Sequence, residues 1–289
     1  MAINIASGYT AVANNFILAA RLTERDASVM ANLVRTIPMR KGQNQIDLPT
    51  FGSVSIAALT DGVDLANPQS FAPSSSTFTA SERGGMIVIS DKAQRESQDQ
   101  VGQLAARELG RAWAQDVDTQ LFSHFDSFSQ SLGAAGTEIT ANYVLAALAL
   151  LHGNSTEVIP VAGPVSGVLH TFQAYVLQSN LTLPGTSNVP TELQNKLIGK
   201  LFVARLFQAD VFQSSKLTVD GSDDAKGALF HKEAIVRVTQ QDMRVRQQRD
   251  ESARITEWVL VSDWGSGIWK NTWGVELYFD AATPSGTTI

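Results

Sequence analysis

The chain has 289 residues, a formal net charge of −6, and charged side chains at only 17% of its positions. A negative net charge argues against a protein that binds nucleic acid over its whole surface. The absence of cysteine excludes disulfides, thiolate catalysis and cysteine metal sites. A surface with so few charges favours self-association, so we expect contacts with copies or partners.

The N-terminal segment predicts an arm. Residues 1–22 mix small, polar and apolar side chains and lack the basic start of a signal peptide. Apolar spacing from Leu22 to Val34 predicts a short helix that ends before Pro38. The longest apolar run, residues 143–151, is too short to span a bilayer. We therefore expect a soluble protein made in the cytoplasm.

Residues 41–90 predict a long, polar, two-stranded β-arm. Ile46 and Leu48 alternate with polar residues, a turn-rich tip follows, and "STFTASERGGMIVIS" returns as a strand. A stretch with so few large apolar side chains cannot fold as its own domain. Because an isolated two-stranded ribbon is marginally stable in water, the arm needs a surface to lie on.

The strongest periodic signal follows the arm. Apolar residues recur every three or four positions across residues 90–128 without a proline, which predicts one long helix used as a strut. Residues 140–153 predict a second helix with Thr140 as its N-cap. We then expect a buried strand at 157–164, a helix at 165–180 and a strand within 199–212.

Four of the five tryptophans stand between Trp258 and Trp273. Apolar residues alternate with period two on both sides of "GSG", which predicts a β-hairpin turning at these glycines. Such a cluster can be a ligand cage, a platform on which bases stack, or the wall of a packed sheet. We interpret it as core.

No catalytic, cofactor or metal site is predicted. His124, His152, His170 and His231 stand alone, outside any metal-ligand spacing. The stretch "DGSDDAKG" has Asp220, Ser222 and Asp224 at calcium-loop spacing, but it lacks the loop's glycine and final glutamate, so we expect a solvated turn. A basic cluster comprises Arg237, Arg244, Arg246, Arg249 and Arg254. Because acids are interleaved with it, ion pairs are the first interpretation and a weak phosphate-facing surface the second.

The order of these elements resembles the major capsid proteins of tailed bacteriophages, the HK97-type fold. The resemblance runs from Arg25 to Asp280, and it is carried by "ASERGGMIVISDKAQRESQD" leading into "LAARELGRAWAQDVDTQLF", then "GKLFVARLF", and "GALFHKEAIVRV" before the closing strands. It implies an α+β HK97-like capsid fold. Its expected parts are an N-terminal arm (1–40), an extended β-hairpin E-loop (41–90), a spine helix with the first part of a peripheral domain (91–154), an axial domain (155–227) and the completion of the peripheral domain (228–289).

The resemblance also implies a function and its partners. A capsid protein of this family self-assembles, in the host cytoplasm, into an icosahedral virion shell of pentamers and hexamers. It contacts a portal, and in some phages scaffolding or decoration proteins. It contacts the packaged double-stranded DNA weakly and without sequence specificity. No cofactor and no membrane are implied. The expected inter-subunit contacts at the E-loop tip are Phe51, Leu59, Val63, Leu65 and Phe71.

Two alternatives stay open from the sequence. One is an encapsulin-like shell, which has the same fold but encloses protein cargo. The other is a cytosolic α/β enzyme with an unrecognised site. Some relatives of the capsid family join subunits by a lysine–asparagine isopeptide bond. Since this arm has no lysine between Lys41 and Lys92, we expect a shell held without covalent links.

Overall fold

A computed structural model describes residues 28–51, 56, 58, 61–62, 73–96, 101–153, 164–181, 202–206 and 208–284. The helices are α1 (Asp91–Glu96), α2 (Val101–Phe122), α3 (Ala141–His152) and α4 (Thr171–Leu181). The strands are β1 (Arg35–Pro38), β2 (Gln45–Thr50), β3 (Ser74–Thr79), β4 (Ser81–Ser90), β5 (Gln130–Gly133), β6 (Val165–His170), β7 (Phe202–Leu206), β8 (Ala209–Ser214), β9 (Asp224–His231), β10 (Ile235–Asp250), β11 (Ile255–Ile268) and β12 (Gly274–Asp280).

A four-stranded sheet has the order β1-β10-β11-β4. The long strands β10 and β11 form an antiparallel hairpin, and β4 pairs with β11 over its full length. The short β1 runs parallel to β10 and pairs only with residues 236–239, so the rest of β10 is an edge. One face of this sheet packs against α2, because Trp258, Leu260 and Trp264 alternate towards the helix with the period of an extended strand.

A six-stranded sheet has the order β5-β12-β9-β6-β8-β7. It is mixed, since β5 runs parallel to β12 and β6 parallel to β8 while the other pairs are antiparallel. Helices α3 and α4 pack on one of its faces. Phe230 meets Phe125 on the other face, beyond the end of α2. This sheet takes strands from the predicted segments 91–154, 155–227 and 228–289, and the four-stranded sheet from 1–40, 41–90 and 228–289.

Four of the five tryptophans are core, as predicted, and Trp269 is half-buried. Trp113, Trp258, Trp264 and Trp273 are all buried, and the rings of Trp113 and Trp264 meet edge to face with centroids 5.9 Å apart. The predicted hairpin is wrong, however. β11 continues through the glycines, and β12 joins the other sheet, so the two tryptophan strands do not pair with each other.

Two predicted helices also need correction. Within the predicted N-terminal helix, residues 30–32 form a single 3-10 turn, and Arg35–Pro38 is a strand. The β-branched residues Thr36 and Ile37 favour an extended backbone. The strand lies at the edge of its sheet, where proline is tolerated. Residues 165–170 are the strand β6 and not the start of a helix. Every residue of β6 is buried, so its sequence has no period to distinguish a strand from a helix.

The strut is shorter than predicted. α2 ends at Phe122, and a 3-10 turn at Phe125–Ser127 continues the three-residue apolar spacing, which misled the sequence prediction. Residues 97–100 lie outside the described residues. The helix predicted at 140–153 is confirmed as α3, but the Thr140 side chain makes no capping hydrogen bond. Residues 157–163 of the strand predicted at 157–164 fall outside the described residues.

Candidate assembly surfaces

Two large apolar side chains in the described part of the arm are exposed to solvent. β2 and β3 pair antiparallel from Gln45↔Thr79 to Thr50↔Ser74. Phe51 follows β2 directly and is 54% exposed, and Ile56 is 98% exposed. The other four predicted contacts, Leu59, Val63, Leu65 and Phe71, lie outside the described residues. Phe51 therefore stays a predicted contact, and Ile56 is a candidate that the sequence prediction missed.

The base of the arm lies on the four-stranded sheet, on the face opposite α2. Phe78 of β3 is buried there against Val236 and Val238 of β10. The close approach of β3 to β11 requires two glycines of β11. A Cβ on Gly265 would stand 2.1 Å from the backbone oxygen of Thr79, and one on Gly267 would stand 2.8 Å from the Phe78 ring. The "GSG" sequence thus serves close packing of the arm and not a turn.

We expect Gly265→Ala to loosen the arm. The added methyl group meets backbone and not the end of a flexible side chain, so β3 must move. The cost should be about 1–3 kcal/mol of unfolding free energy, as for other overpacked sites. Gly221→Ala is the control, because a Cβ there meets nothing within 4 Å; it should change stability by less than about 0.5 kcal/mol.

Urea unfolding of the free subunit measures both effects, and hydrogen exchange over Gln45–Thr79 localises them. Faster exchange in β2 and β3 of the Gly265→Ala variant is the expected result. Unchanged exchange in these strands, with the same stability as the Gly221→Ala protein, would show that the close contact does not position the arm.

Beyond the arm, the same face of the four-stranded sheet is open to solvent. The strand registers place Arg246, Val259 and Met86 in one row across β10, β11 and β4. Met86 and its strand neighbour Val88 are both exposed. This open face combines an apolar strip with arginines on one side.

The predicted basic cluster divides between three environments. The guanidinium of Arg237 stacks on the buried Trp264 ring, 5.1 Å from its centroid. Arg249 donates to both carboxylate oxygens of Asp91 at 3.1 and 2.9 Å, which lowers the pKa of Asp91 and raises that of Arg249. Arg244 and Arg246 are exposed on the open sheet face. The ion-pair interpretation is therefore confirmed for Arg249.

A buried carboxylate anchors the start of the described N-terminal segment. Asp118 of α2 accepts hydrogen bonds from the Ser28 hydroxyl at 2.6 Å and from the backbone N–H groups of Val29 (2.9 Å) and Met30 (3.1 Å). Burial raises the pKa of Asp118, and these three hydrogen bonds oppose that shift. Asp116 lies on another face of the helix, as helical spacing requires of residues two apart, and it pairs with Arg83.

Three of the four histidines are structural, and the fourth, His152, is exposed at the end of α3. His124 shares a hydrogen bond with Ser266 at 2.9 Å, and the Nδ1 atoms of His170 and His231 accept backbone N–H groups two residues further along. Burial lowers the pKa of all three rings, which keeps them neutral near pH 7. Among the described residues, no group of three or more histidine or acidic side chains could hold a metal ion.

The calcium-like loop is a turn, as predicted. One carboxylate oxygen of Asp220 accepts the backbone N–H groups of Ser222 and Asp224, and the other accepts the Tyr278 hydroxyl. These hydrogen bonds lower the pKa of Asp220 and close the turn. No helix within the described part of the chain is long and apolar enough to cross a membrane.

Comparison with known proteins identifies the fold. No protein-family model and no curated protein sequence matches the chain. Its structure is similar to the capsid of the cyanophage P-SCSP1u, with 15% identity, a TM-score of 0.67 and 89% of each chain covered. It is also similar to a structure from Mycobacterium phage Che8 (18% identity, TM-score 0.66, 86% of this chain and 90% of that chain).

The capsid of an empty GTA particle gives the same result, with 13% identity, a TM-score of 0.63, and 88% of this chain and 90% of that chain covered. Sequence identities this low establish the fold and nothing finer. The chain therefore has an α+β capsid fold, which it shares with phage structures over nearly its whole length.

Proposed function

We propose that the chain is the major capsid protein of a tailed bacteriophage, which self-assembles into an icosahedral shell around double-stranded DNA. The observation that carries this proposal is the shared fold, which covers 89% of this chain and 89% of the cyanophage capsid chain at a TM-score of 0.67. The low charged fraction and the exposed apolar side chains of the arm agree with a subunit that is completed by its neighbours.

We assign the parts of the HK97-type fold as follows. Residues 1–40 are the N-terminal arm, 41–90 the E-loop, 91–154 the spine helix with the start of the peripheral domain, 155–227 the axial domain and 228–289 the rest of the peripheral domain. The packing of α2 along the four-stranded sheet supports its role as the spine. The separate two-stranded sheet of β2 and β3 supports the E-loop assignment, although β4 belongs to the four-stranded sheet.

The proposed contacts between subunits are those of the E-loop tip, Phe51, Leu59, Val63, Leu65 and Phe71, lying on a neighbouring copy. Partners in the virion are pentamers and hexamers of this chain, a portal, scaffolding or decoration proteins, and DNA held weakly without sequence specificity. The net charge of −6 supports weak contact with DNA. We place assembly in the host cytoplasm and assign the chain no enzymatic activity.

The expected result is that the purified chain forms closed shells. Expressed without other phage proteins, it should give particles in negative-stain microscopy and a fast-sedimenting boundary, because symmetry multiplies weak contacts between copies. A compact monomer at every salt and protein concentration would contradict the capsid function and leave the enzyme alternative. Particles from infected cells that hold protein cargo and no DNA would identify an encapsulin-like shell.

A further inference from the structure

Helices α3 and α4 form a layer on one face of the six-stranded sheet. Tyr143 of α3 packs on Phe279 of β12 with ring centroids 4.7 Å apart. The amide of Gln173, in α4, donates to the backbone oxygens of Ala225 and Phe279, both at 2.8 Å. The inner sides of both helices are thus fixed to the sheet, and their outer sides face away from it.

The outer side of this layer has an unusual composition. α3 has 12 residues and α4 has 11, and neither contains Asp, Glu, Lys or Arg. At the average charged fraction of soluble domains, two helices of this length would carry about six such residues, mostly on their solvent side. Leu145 is instead 46% exposed and Tyr175 is 55% exposed, and Leu150, further round α3, is 37% exposed. We call this surface the helical face.

We propose that the helical face is a contact between copies of this chain, covered in the assembled shell by an uncharged surface of a second copy. The inference rests on the proposed capsid function, which supplies the second copy at high local concentration. The charge of the partner surface follows from the helical face itself. A carboxylate or ammonium buried against Leu145 and Tyr175 would find no charged partner on either helix, and an unpaired buried charge is costly.

The size of the helical face explains why it would act only within an assembly. Two adjacent helices about 18 Å long and about 9 Å apart present roughly 350 Å². A stable isolated dimer buries about 800 Å² per partner. The helical face alone should therefore not hold two free subunits together. In a closed shell, other contacts already hold the neighbouring copy in place. A contact of this size, repeated around the shell, then adds to the stability of the assembly.

Charge substitution tests the proposal. Leu145→Glu and Tyr175→Glu should give folded subunits, with the wild-type circular dichroism spectrum and melting temperature, whose yield of shells falls at least about tenfold, as expected when a buried contact is lost. Leu104→Glu is the matched control, since Leu104 is a similarly exposed helical leucine (55%) on α2, and it should assemble normally. Normal assembly of both test variants, or an equal loss with the control, would overturn the assignment.

Thiol labelling gives a readout that does not depend on blocking assembly. Because the chain has no cysteine, Tyr175→Cys introduces a single reactive thiol. A small maleimide should modify it rapidly in free subunits and at least an order of magnitude more slowly in shells, where a neighbour covers it. Equal rates in both states would overturn the inference and leave the capsid function intact. Failure of the wild-type chain to form shells would instead contradict the capsid function itself.

Discussion

Replacing Trp264 by alanine should remove about 3–5 kcal/mol from the free energy of unfolding, the range measured for large buried aromatic side chains. Trp264 is only 1% exposed and lies where α2 crosses the four-stranded sheet. Its ring meets that of Trp113 edge to face, and the guanidinium groups of Arg83 and Arg237 each stand 5.1 Å from its centroid. Alanine at position 264 would leave a cavity that backbone elements on both sides cannot close.

Because natural domains have only about 5–15 kcal/mol of stability, Trp264→Ala is expected to be largely insoluble. Trp264→Phe keeps part of the packing and should lose a measurable ~1–3 kcal/mol in urea unfolding. Phe51→Ala serves as the control, because this exposed aromatic should contribute less than about 0.5 kcal/mol to the stability of the free subunit. A Trp264→Ala protein as stable as the Phe51→Ala protein would show that the tryptophan cluster is not structural.

The elements that could be predicted from the sequence are those that show their own period. α2, α3 and the strand character of Trp258–Trp264 follow from spacing within one segment, and the structure confirms them. The partner of a strand is not encoded in that spacing. β11 and β12 are close in sequence and each alternates, yet the partners of β11 are β10 and β4. Proximity in the chain therefore favoured a hairpin that does not form.

The functional meaning of small residues was also hidden from the sequence. A glycine can end a strand at a turn, or it can allow another backbone to approach closely, and the sequence does not distinguish these two roles. The position of Thr79 over Gly265 shows that Gly265 has the second role. A useful signal was present in the composition: α3 and α4 have no Asp, Glu, Lys or Arg, in a chain of which 17% is charged. The helices predicted at 140–153 and 165–180 also lack these four residue types, so this signal could be read from the sequence alone.

Asp118 shows the same limit for polar residues. Its helical position predicts that it lies on another face than Asp116, but its partners are 88 to 90 residues away in sequence. Nothing near Asp118 in the chain identifies Ser28, Val29 and Met30 as hydrogen-bond donors. The role of Asp118 in fixing the N-terminal segment to α2 emerges only from the folded chain, and it leads to the second large stability effect that we expect.

Asp118→Ala should destabilise the subunit by about 3–5 kcal/mol. The substitution leaves the Ser28 hydroxyl and the N–H groups of Val29 and Met30 without their acceptor. All these groups lie in buried residues, and each unsatisfied buried donor costs about 1–3 kcal/mol. Asp118→Asn keeps one acceptor oxygen but turns an NH₂ group towards the remaining donors, so we expect an intermediate loss of about 1–3 kcal/mol.

The matched control is Asp116→Ala, two residues away on the same helix. Asp116 accepts from Arg83 at 3.0 and 3.1 Å, but both side chains are about a third exposed, so the loss should stay below about 1 kcal/mol. Urea unfolding gives the three free energies, and hydrogen exchange at the Val29 and Met30 amides should accelerate with both Asp118 variants and not with Asp116→Ala. Equal stabilities for Asp118→Ala and Asp116→Ala, with slow exchange at both amides, would mean that the core packing of Met30 and Val34 holds the segment and the carboxylate does not.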